Sequence, residues 1–118
     1  MQPDLPFTIE KPWGDFRQFT LNTATTVKII TVAPDQILSL QSHKKRSEFW
    51  KVISGSGFVE IDGAREAVDL GDEKMIPLGA KHRMQAGPNG MRILEIAFGE
   101  FDEEDIIRYE DKYGRENK

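Results

Sequence analysis

Turn-forming residues cut this sequence into short pieces, and that punctuation constrains the fold more than anything else in it. Pro34-Asp35, Asp62-Gly63, Gly71-Asp72, Pro77-Leu78-Gly79 and Pro88-Asn89-Gly90 punctuate the chain, and from Asp62 onward they recur at intervals too short for helices of ordinary length. Between them lie strand-like runs at 15–21, 26–33, 36–41, 47–54, 57–62, 64–70, a short piece ending at Pro77, 81–86 and 91–98. Thr25 to Val32 is rich in β-branched residues, which pack well on a pleated surface. In 47–54 the residues alternate, with Glu48, Trp50 and Val52 on one face and Phe49, Lys51 and Ile53 on the other. Asp62-Gly63 is a strong hairpin signal, because a type I′ turn needs positive φ at both central positions. Eight to nine such strands predict an all-β chain, a closed or sandwiched antiparallel barrel.

Both ends depart from this pattern. Residues 1–14 carry Pro3, Pro6 and Pro12 and are expected to be an extended, irregular lead-in, with Trp13 as a packing anchor. Residues 102–114 predict a short helix. Asp102 suits the N-cap, and Glu103, Glu104 and Asp105 suit the positive end of the dipole. Ile106, Tyr109 and Tyr113 give an apolar stripe, and Gly114 gives a stop.

A chain of 118 residues fits a single domain, here residues 1–118. It has no cysteine, which excludes disulfide and thiolate chemistry, and no apolar run approaches the ~20 residues of a membrane helix. With no signal-like N-terminus, the expected location is cytoplasmic. Net charge is -4, which argues against general nucleic-acid binding. Positive charge is nevertheless clustered: Lys44, Lys45 and Arg46 follow His43, and Lys81 and Arg83 flank His82.

Those histidines are the only two in the chain, and each sits in a spaced pattern. The first is Gln41-x-His43, four residues, Glu48, six residues, Gly55. The second is Gly71, five residues, Pro77-Leu78-Gly79, two residues, His82. Gln41 and His43 point to one strand face, and Glu48 shares its face with Trp50, so a carboxylate is directed into an apolar interior. Such burial is costly unless the charge is paired or metal-bound. An amide, a carboxylate and two imidazoles predict a site for one divalent metal, with Zn, Mn, Fe, Co and Ni all suited to the donors. Each histidine alone would ordinarily be a satisfied core residue, and the two tryptophans are ordinarily core as well. The basic run beside His43 reads either as a solvated turn or as contacts to an anionic ligand.

These residues resemble a known family. The two spaced patterns look like the motifs of the cupin superfamily, with Gln41 in the place of the usual first histidine. Lys11-Pro12-Trp13-Gly14-Asp15-Phe16, Leu38 to His43, Arg46-Ser47-Glu48-Phe49-Trp50, Ile76-Pro77, His82-Arg83 and Glu104 to Arg115 look like the type II mannose-6-phosphate isomerase domain. In that family the domain usually follows a mannose-1-phosphate guanylyltransferase domain. The resemblance implies a cupin antiparallel β-barrel, or jelly roll, that is often dimeric. It also implies a divalent metal on Gln41, His43, Glu48 and His82, and interconversion of mannose 6-phosphate and fructose 6-phosphate. Arg46 falls on the family's arginine beside the site. The chain departs from the family at Lys45 and Phe49, where histidine is common, at Asp35 in place of a glycine and at Ala86 in place of an asparagine.

In such an isomerase Glu95 and Lys45 are candidates to move a proton, while Arg46, with Lys45 and Lys44, would hold the phosphate of a small-molecule sugar phosphate. Two other functions fit the same donors: a metal-containing cupin that binds a sugar or other anion without turnover, and a non-haem iron oxygenase. A homodimer is also expected, through the long N-terminal lead-in and the outward Phe49 and Ile53.

Overall fold

The computed structural model describes residues 5–115. Among these described residues nine strands follow one another: β1 Phe7–Lys11, β2 Gly14–Gln18, β3 Thr25–Val32, β4 Leu40–Ser42, β5 Arg46–Ile61, β6 Ala64–Val68, β7 Glu73–Ile76, β8 His82–Gly99 and β9 Ile107–Glu110. The chain is all-β, as its punctuation predicts. Among the described residues no helix is long and apolar enough to cross a membrane.

Two long strands, β5 and β8, run antiparallel and carry the larger sheet, while β1 and β2 form a sheet of their own. The first half of β5 lies between β7 and β8, so that Glu48 faces Ile76 on one side and Ala97 on the other. Its second half lies between β6 and β8, with Gly57 facing Val68 and Ala86. β3 lies along β8 from Met91 to Phe98, while β4 joins β8 at His82 and takes β9 on its other edge. The core holds Trp50, Val52, Val59, Ile76, Met84 and Ile93, all almost fully buried.

Where the sequence predicts separate strands at 47–54 and 57–62, and again at 81–86 and 91–98, the structure has one bent strand in each case. Gly55 pairs with Met91 and Gly57 with Ala86, which leaves Gly87 to Gly90 opposite Ser56 alone. Pro88 has no N–H to give to a ladder, so the chain bulges there. The Pro88-Asn89-Gly90 turn signal therefore marks a kink within β8 and not its end. The bend brings two backbones into contact: a Cβ on Gly57 would stand 2.0 Å from the carbonyl oxygen of Gln85. The Asp62-Gly63 turn forms as predicted, with φ of 47° and 85° and Ile61 paired with Ala64.

Three expectations about the ends require correction. The helix at 102–114 is absent. The Asp102 carboxylate accepts the Glu104 amide at 2.9 Å and its carbonyl accepts the Asp105 amide at 3.0 Å, and this isolated turn is where helical geometry stops. The chain then extends as β9, where Ser42 pairs with Ile107 and Gln41 with Arg108. The edge of β4 satisfies peptide groups that a helix would have satisfied internally, and the β-branched Ile106-Ile107 favour that outcome. Gly114 closes a turn onto the Asp111 carbonyl. The lead-in is not irregular beyond Pro6, because β1 and β2 form a hairpin in which Ile9 pairs with Phe16; residues 1–4 lie outside the described residues. Trp13, expected as an anchor, sits at the tip of that hairpin and is 73% exposed.

Candidate metal centre

The cross-strand registers assemble the site. Gln41 on β4 pairs with His82 at the start of β8, and His43 follows two residues later, just past the end of β4. On β5, Glu48 and Trp50 share a face by strand alternation, and Trp50 stands directly opposite Glu95 of β8. Glu95 is therefore the diagonal neighbour of Glu48, within reach across the ladder.

His43, Glu48 and His82 are all buried, and their donor atoms lie within 4.8 Å of one another. His43 Nε2 is 3.5 Å from Glu48 Oε2, and His82 Nε2 is 3.4 Å from Glu48 Oε1. Each ring is fixed from behind: His43 Nδ1 donates to the Asp105 carbonyl at 2.7 Å and His82 Nδ1 to the Ala80 carbonyl at 2.9 Å. A carbonyl can only accept, so Nδ1 carries a proton in each ring and Nε2 is the atom that faces the carboxylate. Two imidazoles oriented by backbone carbonyls and one carboxylate are a donor set that fits a divalent ion, including the outer hydrogen bonds such ligands usually have. Gln41 lines the same cavity, so the four residues anticipated from the sequence come together.

A second carboxylate lies beside the first. Trp50 Nε1 donates to Glu48 Oε1 and to Glu95 Oε1, at 3.2 Å in each case. Burial opposes ionisation of Glu48, but hydrogen bonding and charge from His82, with help from Glu95 and His43, bring it down to about 2. Burial and then the neighbouring charge of Glu48 push Glu95 up to about 7, against smaller pulls from Trp50 and Lys28. Burial also lowers the His43 imidazole, outweighing the Asp105 carbonyl and Glu48. One carboxylate is thus held ionised and its neighbour holds a proton near neutrality, an arrangement suited to moving protons.

Arg46 is buried and its guanidinium is engaged on every side. Nε donates to Glu48 Oε2 at 3.1 Å, Nη1 to the Asp102 carbonyl at 3.1 Å, and Nη2 lies 3.2 Å from His43 Nε2. Its plane covers the Phe101 ring at 4.3 Å. Lys44 and Lys45 are not walls of the cavity. The turn they occupy is folded onto Asp105, whose carboxylate accepts both their amides at 2.9 Å, and their side chains are exposed. Lys45 Nζ stands 3.6 Å from Glu100 instead. Proximity in sequence to His43 misleads here, because the turn presents backbone inward and side chains outward.

The cavity has a volume of about 160 Å³, and Lys28, Arg83, Glu103 and Arg108 line it beside the residues already named. Arg83 was visible in the sequence only as a charge beside His82. Lys28 and Arg108 carried no signal, since one lies on a β-branched strand and the other in a segment that reads as a helix. Trp50, anticipated as core, is buried and also bridges the two carboxylates.

Residues 4–111 match the family described as "Mannose-6-phosphate isomerase C-terminal". The chain is similar to the mannose-1-phosphate guanylyltransferase ManC of Salmonella typhimurium, with 35% identity over 109 residues that make up 91% of this chain and 23% of that protein. It therefore spans about a quarter of the length of such curated relatives. In backbone it is similar to the capsular polysaccharide assembling protein CapF of Staphylococcus aureus, with a TM-score of 0.67, 20% identity, and coverage of 89% of this chain and 34% of that one. It is also similar to KdgF from Halomonas sp., with a TM-score of 0.65, 14% identity, and coverage of 73% and 78%. At these identities the two structures speak for the fold alone.

Proposed function

The chain belongs to the mannose-6-phosphate isomerase C-terminal family, a cupin domain, and from that premise we propose that it is a metal-dependent aldose–ketose isomerase interconverting mannose 6-phosphate and fructose 6-phosphate. The observation that carries the reading is the cavity in which His43, Glu48 and His82 converge while Glu95, with its raised pKa, adjoins them. His43, Glu48 and His82, with Gln41, would hold one divalent ion. Such an ion supplies a Lewis acid for the carbonyl and adjacent hydroxyl of an open-chain sugar. Glu95 moves the proton between neighbouring carbons, since it is the one carboxyl of the pair that can exchange a proton near neutral pH. Trp50 keeps the two carboxylates at fixed separation through its shared N–H. Arg46 holds Glu48 and the 101–102 segment in place, so its part is positioning.

One observation favours a second reading, a cupin that binds a sugar or another anion without turnover. Arg46 already bonds Glu48 and reaches His43 Nε2, so a guanidinium can balance part of the charge that a metal would balance. A single experiment separates the two. The purified chain is analysed for bound metal, and then assayed in a coupled reaction on mannose 6-phosphate with Zn, Mn, Fe, Co and Ni in turn. Isomerisation with about one metal ion per chain is expected. The His82→Ala chain should keep its β-rich circular dichroism and lose metal by more than the ~10–100-fold of an outer-partner change. Full folding with no turnover on any metal would leave the binding reading in its place.

A further inference from the structure

We propose that Arg108 of β9 is an oxyanion subsite that receives the phosphate group of the ligand. The proposal rests on the sugar-phosphate reading of the cavity and specifies which end of the ligand goes where.

Four cationic side chains line the cavity: Lys28, Arg46, Arg83 and Arg108. Three already have protein acceptors. Arg46 is committed to Glu48 and the Asp102 carbonyl, Lys28 is 3.3 Å from Glu103, and Arg83 bonds Glu110 at 2.8 Å and the Leu38 carbonyl at 3.1 Å. Arg108 differs. It is half-buried, it lines the cavity, and among the described residues its guanidinium has no hydrogen bond or ion pair. A charge withdrawn from water without a counterion is unfavourable, and an anion in the cavity would remove that cost. Guanidinium binds phosphate oxygens in a bidentate fork, which makes arginine well suited to the task.

The backbone beneath Arg108 is held on both sides. Ser42 Oγ and the Tyr109 hydroxyl are hydrogen-bonded at 2.9 Å, Asp105 caps the amides of Lys44 and Lys45, and Glu110 is held by Arg83. Strand alternation then places Ile106 and Arg108 together on the cavity side, where both are walls. The span is also appropriate. Gln41 pairs with His82 on one edge of β4 and with Arg108 on the other, so Arg108 and His82 stand two strand spacings apart, about 10 Å. An open-chain hexose 6-phosphate carries its carbonyl and its phosphate at opposite ends of the carbon chain, and the cavity offers metal donors at one end and an unpaired guanidinium at the other. Lys44 and Lys45, the cations nearest His43 in sequence, do not line this cavity.

The test is calorimetric titration of the purified chain with mannose 6-phosphate, mannose and inorganic phosphate, in wild type, Arg108→Gln and the Lys44→Ala/Lys45→Ala double variant. Arg108→Gln should weaken mannose 6-phosphate by roughly 10- to 100-fold, the loss of a hydrogen-bonded charge. Mannose binding and metal content should not change, and the double variant should bind as wild type does. Should Arg108→Gln disturb the fold, Arg108→Lys keeps the charge without the fork and is expected to bind mannose 6-phosphate with intermediate strength. If both Arg108 variants bind it as tightly as wild type does, the subsite is wrong while the isomerase reading survives. If wild type binds inorganic phosphate through Arg108 but no sugar phosphate, the subsite stands and the isomerase reading falls. A wild type that binds neither phosphate ligand overturns the subsite as well.

Discussion

Trp50 shows how a residue can be core and site together. Its ring is buried with Val52 and Ile93, and its one N–H is shared between Glu48 and Glu95. That shared proton sets two carboxylates side by side, and their mutual repulsion, added to burial, raises the pKa of Glu95. The consequence concerns the rate more than the binding. Replacing Glu95 by Gln keeps shape and the acceptor for Trp50 but removes the exchangeable proton. Under the isomerase reading kcat should fall by about 10²–10⁴-fold, while the dissociation constant for mannose 6-phosphate and the metal content stay near wild type. A variant with unchanged kcat would exclude Glu95 as the proton carrier and direct attention to another cavity residue.

At the scale of elements, the bends in β5 and β8 place the two ends of the site on one cavity. Without the bulge, the part of β8 bearing His82 and the part bearing Glu95 would continue in one direction. With it, both serve the same side. Gly57 makes this possible because the Gln85 carbonyl occupies the space a Cβ would need. Gly57→Ala should therefore cost about 3 kcal/mol of stability, the upper part of what overpacking usually costs. Urea denaturation measures it, and a loss below ~1 kcal/mol would mean the bulge yields freely. The C-terminal segment matters equally: the Asp105 carbonyl sets the His43 tautomer, and two residues beyond Ile106 the same chain lines the cavity as Arg108.

For the molecule as a whole, we propose a homodimer formed by the N-terminal hairpin and β3. Among the described residues the hairpin pairs with no other strand and is tied to β7 by Arg17 and Glu73, and a two-stranded hairpin is marginal by itself. It exposes Ile9, Phe16 and Trp13, and β3 turns Val27 and Ile29 outward, each more than half exposed, while Lys28 and Ile30 face the cavity. The surface expected at Phe49 is not available, because Phe19 packs on that ring at 5.5 Å and buries it. A second copy is the occupant whose exposed apolar arm and strand face match this surface. Light scattering at micromolar concentration should give twice the chain mass, and Val27→Lys with Ile29→Lys should give a monomer with unchanged metal content. A monomeric wild type would exclude the dimer.

Local sequence determined the strand-forming runs between residues 25 and 98, the Asp62-Gly63 turn and the face that Glu48 shares with Trp50, because alternation and turn chemistry depend on neighbours a few residues away. It also marked Gln41, His43, Glu48 and His82, since their spacings are properties of single strands and turns. The fate of residues 102–114 lay beyond it. Acidic residues, an apolar stripe and a glycine stop favour a helix locally, but the open edge of β4 offered the same peptide groups a ladder, and nothing near residue 107 in sequence reveals that edge. For the same reason the sequence put Lys44 and Lys45 at the site because they adjoin His43, whereas strand pairing brought Lys28 and Arg108 to the cavity from far along the chain. Side-chain type and local periodicity are written along the chain; which charges share a cavity is decided only when distant strands find their registers.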